Sequence, residues 1–123
     1  MILVDTSIWI DHLRSSNAAL ASLLMAGQVL LHPFVIGELA LGSVQRRDSL
    51  LDVLNCMPRV TVASDAEVMM FINQNKLYGR GIGYIDAHLL ASVRLTPGTR
   101  LWSRDKRLGA TAEQLGLLVS VEH

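Results

Sequence analysis

Three acidic residues of this 123-residue chain stand in segments that otherwise carry no charge. Asp5 is the sole charged residue of the opening segment MILVDTSIWI. Glu38 is the only Asp, Glu, Lys or Arg between residues 15 and 45, and Asp86 is the only one between residues 81 and 93. The remaining acids, apart from Asp105, have neighbours typical of a solvated surface: Asp11, Asp48, Asp52, Asp65, Glu67, Glu113 and Glu122.

Helical spacing places Glu38 and Asp86 on or beside apolar stripes, the first with Val35 and Leu39 and the second with Leu89. A buried carboxylate without a partner costs several kcal/mol or takes up a proton. The two segments contain no Arg or Lys, although an arginine from elsewhere in the fold could pair with them. A divalent cation shared by the acids is the more economical solution, because Mg²⁺ and Mn²⁺ prefer oxygen ligands together with water and phosphate.

Strands alternate with helices along the chain, which predicts an α/β fold with a mainly parallel central sheet of four to five strands flanked by helices. Predicted caps include Thr6 or Ser7 for the first helix, and Ser64 with Glu67 as a capping box. The pattern predicts strands at 2–4, 29–32, 59–63, 99–103 and 117–121, and helices at about 6–14, 17–27, 33–44, 46–57, 64–78, 84–95 and within 105–116.

The candidate site lies beyond the carboxyl ends of the predicted strands, where open parallel sheets bind ligands. Asp5 follows the first strand and Asp105 follows the strand at 99–103, while Glu38 and Asp86 would reach the same crevice from helices. Asp105 has basic neighbours that could pair with it on the surface instead: Arg104, Lys106 and Arg107. The expected site is therefore Asp5, Glu38, Asp86 and Asp105 around Mg²⁺ or Mn²⁺.

Length and composition are those of one domain over residues 1–123 with a proper core. Half of the residues are hydrophobic, yet no apolar run approaches the roughly 18 residues needed to cross a bilayer. The N-terminus lacks the features of a signal peptide, and the one cysteine, Cys56, excludes an intrachain disulfide. These observations predict a protein of the reducing cytoplasm. A net charge of zero does not by itself indicate a nucleic-acid binder.

Four segments resemble the PIN domain and, more narrowly, the VapC toxins of bacterial type II toxin–antitoxin pairs. They are VDTSIWI (4–10), GELALG (37–42), GYIDAHLLAS (83–92) and LWSRDKRL (101–108), in the family's order and each with its acid. The resemblance spans essentially the whole chain. It implies a PIN-like fold and a metal-dependent ribonuclease that forms a homodimer and is silenced by a VapB-type antitoxin.

The acidic positions of the family correspond to Asp5, Glu38, Asp86 and Asp105, and no acid is missing. The resemblance also assigns hydroxyl positions to Thr6 or Ser7 and to Ser103, which would hydrogen-bond waters or carboxylates. In our assignment Asp5 and Asp86 are the primary ligands of an ion, and Glu38 and Asp105 hold a second ion or its waters. The residue pattern leaves open whether one or two ions bind.

Substrate contacts are less defined by the sequence. The basic residues that could bind RNA phosphates are Arg14, Arg80, Arg104, Lys106 and Arg107. For each of them a solvated surface position is the simpler interpretation. His12 and His88 have the chemistry of general acids, but a structural role is favoured for His88. Core packing is favoured over base stacking for Trp9 and Trp102, and a core or dimer position for Met69 and Met70.

Other functions fit the residues less well. A PIN nuclease of RNA processing without an antitoxin would have the same acids, so only genetic context or a binding partner separates it from a toxin. A receiver-like phosphoacceptor needs an adjacent acidic pair after the first strand, where this chain has Asp5-Thr6-Ser7. A phosphatase of the haloacid dehalogenase type needs Asp-x-Asp, and Ser7 occupies the position of its second Asp.

Overall fold

The computed structural model describes residues 1–120, which form a three-stranded sheet flanked by seven helices. The predicted α/β class with a parallel sheet is confirmed. Chain order is β1 (Ile2–Val4), α1 (Thr6–Ser15), α2 (Ala18–Met25), β2 (Val29–Leu30), α3 (Pro33–Leu41), α4 (Arg47–Cys56), α5 (Asp65–Asn75), α6 (Tyr84–Leu95), β3 (Arg100–Trp102) and α7 (Lys106–Gln114).

The sheet has the strand order β2-β1-β3, with both neighbouring pairs parallel. Leu3 pairs with Leu30 on one side and with Leu101 on the other, so β1 is the central strand. Helices cover both faces of such a sheet, which explains why β1 is an uninterrupted apolar run. Because β1 and β3 are adjacent and parallel, Asp5 and Ser103 follow them at the same edge of the sheet.

Two predicted strands are reduced to single parallel bridges at the edges of the sheet, so the sheet of residues 1–120 falls short of the predicted four to five strands. Leu31 bridges Arg59, and Leu101 bridges Leu118. At the first edge Pro58 has no N–H for the ladder. Beyond it, Thr61 N–H donates to Oγ1 of Thr96 and Ala63 N–H donates to Oγ of Ser92, both on or beside α6. These two hydroxyls thus accept main-chain N–H groups that a neighbouring strand would otherwise pair with. Residue 121 of the last predicted strand lies outside the described residues.

Helix ends agree with the sequence in most places and differ in two that are informative. The capping box of Ser64 and Glu67 at the start of α5 is confirmed. The first helix is capped by Asp5 and not by Thr6 or Ser7, since the Asp5 carboxylate accepts the Thr6 N–H. Helix α3 ends at Leu41 and not near residue 44, with Gly42 N–H bonded to the Leu39 carbonyl.

The core between sheet and helices includes both tryptophans, Trp9 and Trp102, which confirms the packing interpretation. Met69 and Met70 are exposed on α5, so a core position for them is wrong and a surface position is observed. None of the helices formed by residues 1–120 is long and apolar enough to cross a membrane.

Candidate active site

Asp5 is the centre of a hydrogen-bond network at the carboxyl edge of the sheet. Its Oδ1 accepts the main-chain N–H of Thr6 at 2.8 Å. Its Oδ2 accepts the hydroxyls of Ser7 at 3.2 Å and Ser103 at 2.7 Å. The side chain is only 9% exposed. These three donors fix the orientation of the carboxylate at a buried position beside the carboxyl end of β1.

Thr6 connects the first acid to the second. Its hydroxyl donates to Oε1 of Glu38 at 2.7 Å, and its main-chain N–H donates to Asp5. Helix α3 contacts α1, which brings Glu38 to the start of the first helix. Glu38 is exposed, in contrast to the inward position predicted from its apolar stripe. Its apolar neighbours Val35 and Leu39 are buried, and Glu38 lies at the margin of that face.

Asp105 joins the site through Ser103, whose hydroxyl accepts the Asp105 N–H at 3.0 Å while donating to Asp5. The Asp105 carboxylate caps α7 by accepting the N–H groups of Arg107 and Leu108 through Oδ1. Ser7 forms a second connection to this loop, since its hydroxyl accepts the N–H of Arg104 at 3.1 Å. The segment after β3 is therefore bound to the segment after β1 at two points.

Asp86 lies in the first turn of α6, where its Oδ2 accepts the Gly83 N–H at 3.2 Å. Burial raises the pKa of the Asp86 carboxyl, the Gly83 hydrogen bond opposes that rise, and the charges of Asp5, Asp105 and Glu38 add to it. Thr6 joins Asp5 to Glu38, Ser103 joins Asp5 to Asp105, and the charges of these three acids act on Asp86. The structure thus brings together the four carboxylates that the sequence singled out.

No Lys, Arg or His forms an ion pair with any of these four carboxylates among residues 1–120, where the pairs are Arg47–Asp48, His88–Asp65 and Arg104–Asp11. The expectation that neighbouring basic residues could pair with Asp105 is not met in this part of the chain. Among residues 1–120 the four carboxylates therefore have no basic partner in an ion pair, and their oxygen atoms are of the kind that a divalent cation binds.

The donor set fits a hard divalent ion held partly through water. Within residues 1–120 no three Asp, Glu, His or Cys side chains form a ready metal cluster. Asp5 uses both carboxylate oxygens in internal hydrogen bonds, and each of the other three acids uses one. Each carboxylate keeps free lone pairs, and Mg²⁺ usually retains several waters with only one or two protein carboxylates. The residues present therefore fit such an ion with few direct ligands.

The predicted RNA-binding residues have different surroundings. Arg104 forms a 2.6 Å ion pair with Asp11, and Arg80 donates to the side-chain amide of Gln114. Arg14 and Lys106 are exposed, and Arg14 lines a groove that also contains Glu38. The structure thus places Arg14 near the acids, whereas Arg104 is engaged by a carboxylate.

The histidines are not close partners of the acids. His88 is 2% exposed and packs against the rings of Phe34 and Tyr84, in line with a structural role. Nδ1 of His12 accepts the N–H of Asn17 and so joins α1 to α2.

The sequence analysis did not predict two features of the site. Asp5 is at once an N-cap and a site carboxylate, a dual role that the segment Asp-Thr-Ser before an apolar helix could have indicated. The second is the packing of Arg107 on Gly81, for which the glycine-rich segment 79–83 was the only available signal.

Comparison with known proteins agrees with this architecture. The PIN domain profile matches residues 2–114. Two relatives, both named ribonuclease VapC32 and from Mycobacterium tuberculosis strains CDC 1551 / Oshkosh and ATCC 25618 / H37Rv, are 48% identical over 122 residues, covering 99% of this chain and 98% of theirs. The family match covers most of the chain and the relatives cover nearly all of it, so this chain belongs to the PIN-domain family and is similar to its VapC ribonucleases.

Proposed function

We propose that this protein is a Mg²⁺- or Mn²⁺-dependent endoribonuclease, the toxin of a VapBC-type pair, silenced by a VapB-type antitoxin. The observation that carries the proposal is the convergence of Asp5, Glu38 and Asp105 on Asp86 without an ion-paired cation among residues 1–120. The family membership and the ribonuclease names of the relatives support RNA as the substrate.

A bound divalent ion would supply Lewis-acid chemistry, which activates water and neutralises charge on a phosphodiester. Asp5 and Asp86 are the proposed primary ligands, with Glu38 and Asp105 holding a second ion or coordinated waters. RNA hydrolysis needs an attacking water in line with the leaving oxygen, so the carboxylates must keep fixed positions.

The chain's own hydroxyls hold those positions. Ser103 and Ser7 both donate to Oδ2 of Asp5, so this oxygen is held in a fixed orientation. Thr6 holds Glu38 at Oε1 and leaves Oε2 available for water or substrate. Burial and the charges of the neighbouring acids raise the pKa of Asp86, so its carboxyl binds a proton more readily than an ordinary aspartate when no cation is present.

A groove next to the site fits an antitoxin segment. It has a volume of about 510 Å³ and lies between α1 and the end of α3. Its lining includes Ile10 and Leu13, both exposed apolar side chains, and it reaches Glu38. An apolar segment in this groove could place a basic side chain among the four acids, which would neutralise the cluster and exclude a metal ion.

A homodimer would cover other exposed apolar side chains. Met69 and Met70 on α5 and Ile85 on α6 are each at least 41% exposed. Their burial against a second copy would be favourable, because apolar surface gains about 25 cal/mol per Å² when it leaves water. The mass in solution, measured with and without the antitoxin, tests this part, and a lone monomer at micromolar concentration would contradict it.

The central test maps RNA ends after incubation of total RNA with the purified protein. We expect new ends in the presence of Mg²⁺ or Mn²⁺, none with a chelator, and none with Asp5→Asn. Asp48→Asn is the matched control, because Asp48 lies in a surface ion pair with Arg47 away from the site.

The product of a neighbouring small gene should suppress the cleavage when added in equimolar amount. Cleavage without a chelator effect would contradict the metal dependence. Cleavage with no inhibitory partner would favour the alternative, a PIN nuclease of RNA processing without an antitoxin.

A further inference from the structure

The side chain of Arg107, on α7, packs against Gly81 in the segment between α5 and α6. An added Cβ at Gly81 would lie 2.8 Å from Nη1 and 2.9 Å from Cδ of Arg107. Real Cβ atoms do not approach other heavy atoms so closely, so any larger residue would displace the guanidinium. Gly81 also has φ +75°, a conformation that L-residues rarely adopt. The absence of a side chain at Gly81 therefore gives the Arg107 side chain room to pack against this segment.

The charge of Arg107 has no ion-pair partner within the described chain. This differs from Arg104, which is neutralised by Asp11, and from Arg80, which donates to Gln114. The main-chain N–H of Arg107 is bonded to the Asp105 carboxylate, so the start of its side chain is fixed as well. A cationic side chain that is exposed, packs against Gly81 and has no carboxylate partner among residues 1–120 is suited to an external anion.

Its position links two of the acid-bearing elements. Arg107 is two residues after Asp105 on α7, and its guanidinium lies on Gly81, two residues before Gly83. Gly83 caps α6 and donates its N–H to Asp86. Arg107 thus contacts the segment that leads into α6 and follows Asp105 on α7, without an ion pair to either Asp86 or Asp105 among residues 1–120.

We infer that Arg107 binds a phosphate of the RNA strand beside the scissile bond, and that the lack of a side chain at Gly81 allows the Arg107 guanidinium to take up its position. This inference rests on the proposed function for its substrate. A phosphodiester entering a negative site needs compensating positive charge, and guanidinium binds phosphate oxygens through paired hydrogen bonds. A bound divalent ion would neutralise the scissile phosphate, and Arg107 would hold a neighbouring phosphate in register.

The test measures binding of a fluorescently labelled, mixed-sequence single-stranded RNA by anisotropy at several salt concentrations. Asp5→Asn serves as the background, so that the RNA is not cleaved. Arg107→Gln should weaken binding about tenfold, as expected for a hydrogen-bonded charge contact. The slope of log K against log salt should become shallower by about 0.7, the value for one phosphate contact on a single strand.

Lys76→Gln is the matched charge control, because Lys76 is exposed at the end of α5. The substitution removes the same unit of positive charge as Arg107→Gln. It should leave affinity and slope close to those of the parent. Arg107→Lys should recover part of the affinity, since it restores charge but not the paired donors. Equal behaviour of Arg107→Gln and Lys76→Gln would overturn the inference.

A comparison of Gly79 with Gly81 distinguishes the contact with Arg107 from the backbone strain that any side chain would cause at a positive φ. Gly79 and Gly81 share φ +75°, yet an added Cβ at Gly79 has no atom within 4 Å. Both Gly→Ala variants should lose similar stability, but only Gly81→Ala should weaken RNA binding. In combination with Arg107→Gln, Gly81→Ala should add no further loss of affinity. Equal losses of affinity in Gly79→Ala and Gly81→Ala would overturn the seating argument.

The same variants in the chain with Asp5 intact test catalysis, where Arg107→Gln should raise KM more than it lowers kcat. A parent chain that cleaves no RNA would contradict the proposed function. The binding contrast between Arg107→Gln and Lys76→Gln decides the Arg107 assignment independently of that result.

Discussion

The molecule contains two groups of titratable side chains, and they have opposite environments. The acid cluster (Asp5, Glu38, Asp86 and Asp105) lies at the carboxyl edge of the sheet, with donors around every carboxylate. The histidine cluster (His32 and His88, with Phe34 and Tyr84) is packed between α3 and α6, with ring centroids 4.6 to 6.5 Å apart.

Hydrogen bonding separates the two clusters. In the acid cluster, backbone and hydroxyl donors stabilise charge while leaving further oxygen lone pairs available. In the histidine cluster, Nε2 of His32 is buried without a hydrogen-bond partner among residues 1–120. Burial lowers the pKa of His32 to about 4, and the charges of His88 and Arg59 act in the same direction. Hydrogen-bond donors surround the carboxylates of the first region, whereas burial disfavours the charged form of His32 in the second.

The comparison teaches that a titratable residue in an apolar segment has two outcomes. Where hydroxyls and N–H groups converge, as at Asp5, hydrogen bonds hold the carboxylate at the edge of the sheet. Where burial leaves a ring nitrogen without a hydrogen-bond partner among residues 1–120, as at Nε2 of His32, the charged form is disfavoured. Four predictions test that distinction.

The largest effect is expected for Asp5→Asn. Asparagine keeps the size of the side chain and its cap on Thr6, but it removes the charge at the centre of the acid cluster. Cleavage should fall about 100- to 1000-fold, the range for loss of one preorganised electrostatic group. The urea midpoint should change little, as should activity in the Asp48→Asn control. A fully active Asp5→Asn protein would remove the acid cluster from catalysis.

Ser103→Ala should have the next largest effect. The substitution removes the hydroxyl that bonds Asp5 and accepts the Asp105 N–H. Activity should fall about 10- to 100-fold, as for other groups that orient metal-binding carboxylates. Ser49→Ala, at an exposed position of α4, is the control. Unchanged activity in Ser103→Ala would show that the orientation of Asp5 does not depend on this bond.

The histidine cluster should make stability depend on pH. His32 titrates near 6.5 when unfolded and near 4 when folded, so the unfolded state binds more protons between these values. Stability is therefore retained above about pH 6.5 and lost as pH falls toward 4, by up to about 1.4 kcal/mol per pH unit. Urea unfolding across this range measures the slope.

His32→Asn is the matched variant for that measurement. Asparagine can still accept the Phe34 N–H as an N-cap but does not titrate. The slope should flatten in this variant. The same slope in both proteins would assign the pH dependence to another group.

Metal binding should produce the smallest effect, as a shift in stability. At ten times the dissociation constant, Mg²⁺ should stabilise the fold by about 1.4 kcal/mol. Asp86→Asn should lose this response. Without metal it should also be more stable than the parent near neutral pH, because ionised Asp86 is opposed by burial and by three like charges. Melting curves with Mg²⁺ and with chelator test both statements, and an unchanged Mg²⁺ response in Asp86→Asn would contradict them.

The sequence by itself indicated the class of fold and singled out the four acids as candidate site residues. Apolar runs alternating with amphipathic segments are local patterns, and they predict strands and helices without reference to distant residues. Isolation of Asp5, Glu38 and Asp86 among apolar residues is equally local. Boundaries such as Tyr84–Leu95 follow from the residues that start and end the helix.

Only the tertiary structure decided what these residues contact. Ser103 and Asp5 are 98 positions apart, and their hydrogen bond exists because β1 and β3 are parallel neighbours. The side-chain hydroxyls of Thr96 and Ser92 accept main-chain N–H groups that strand pairing would otherwise use. Local residue propensities do not predict these hydrogen bonds. The seating of Arg107 on Gly81 likewise depends on how α7 packs against segment 79–83. Hydrogen bonds and close contacts between distant segments depend on distances that arise only when the chain is folded, and so a local pattern cannot reveal them.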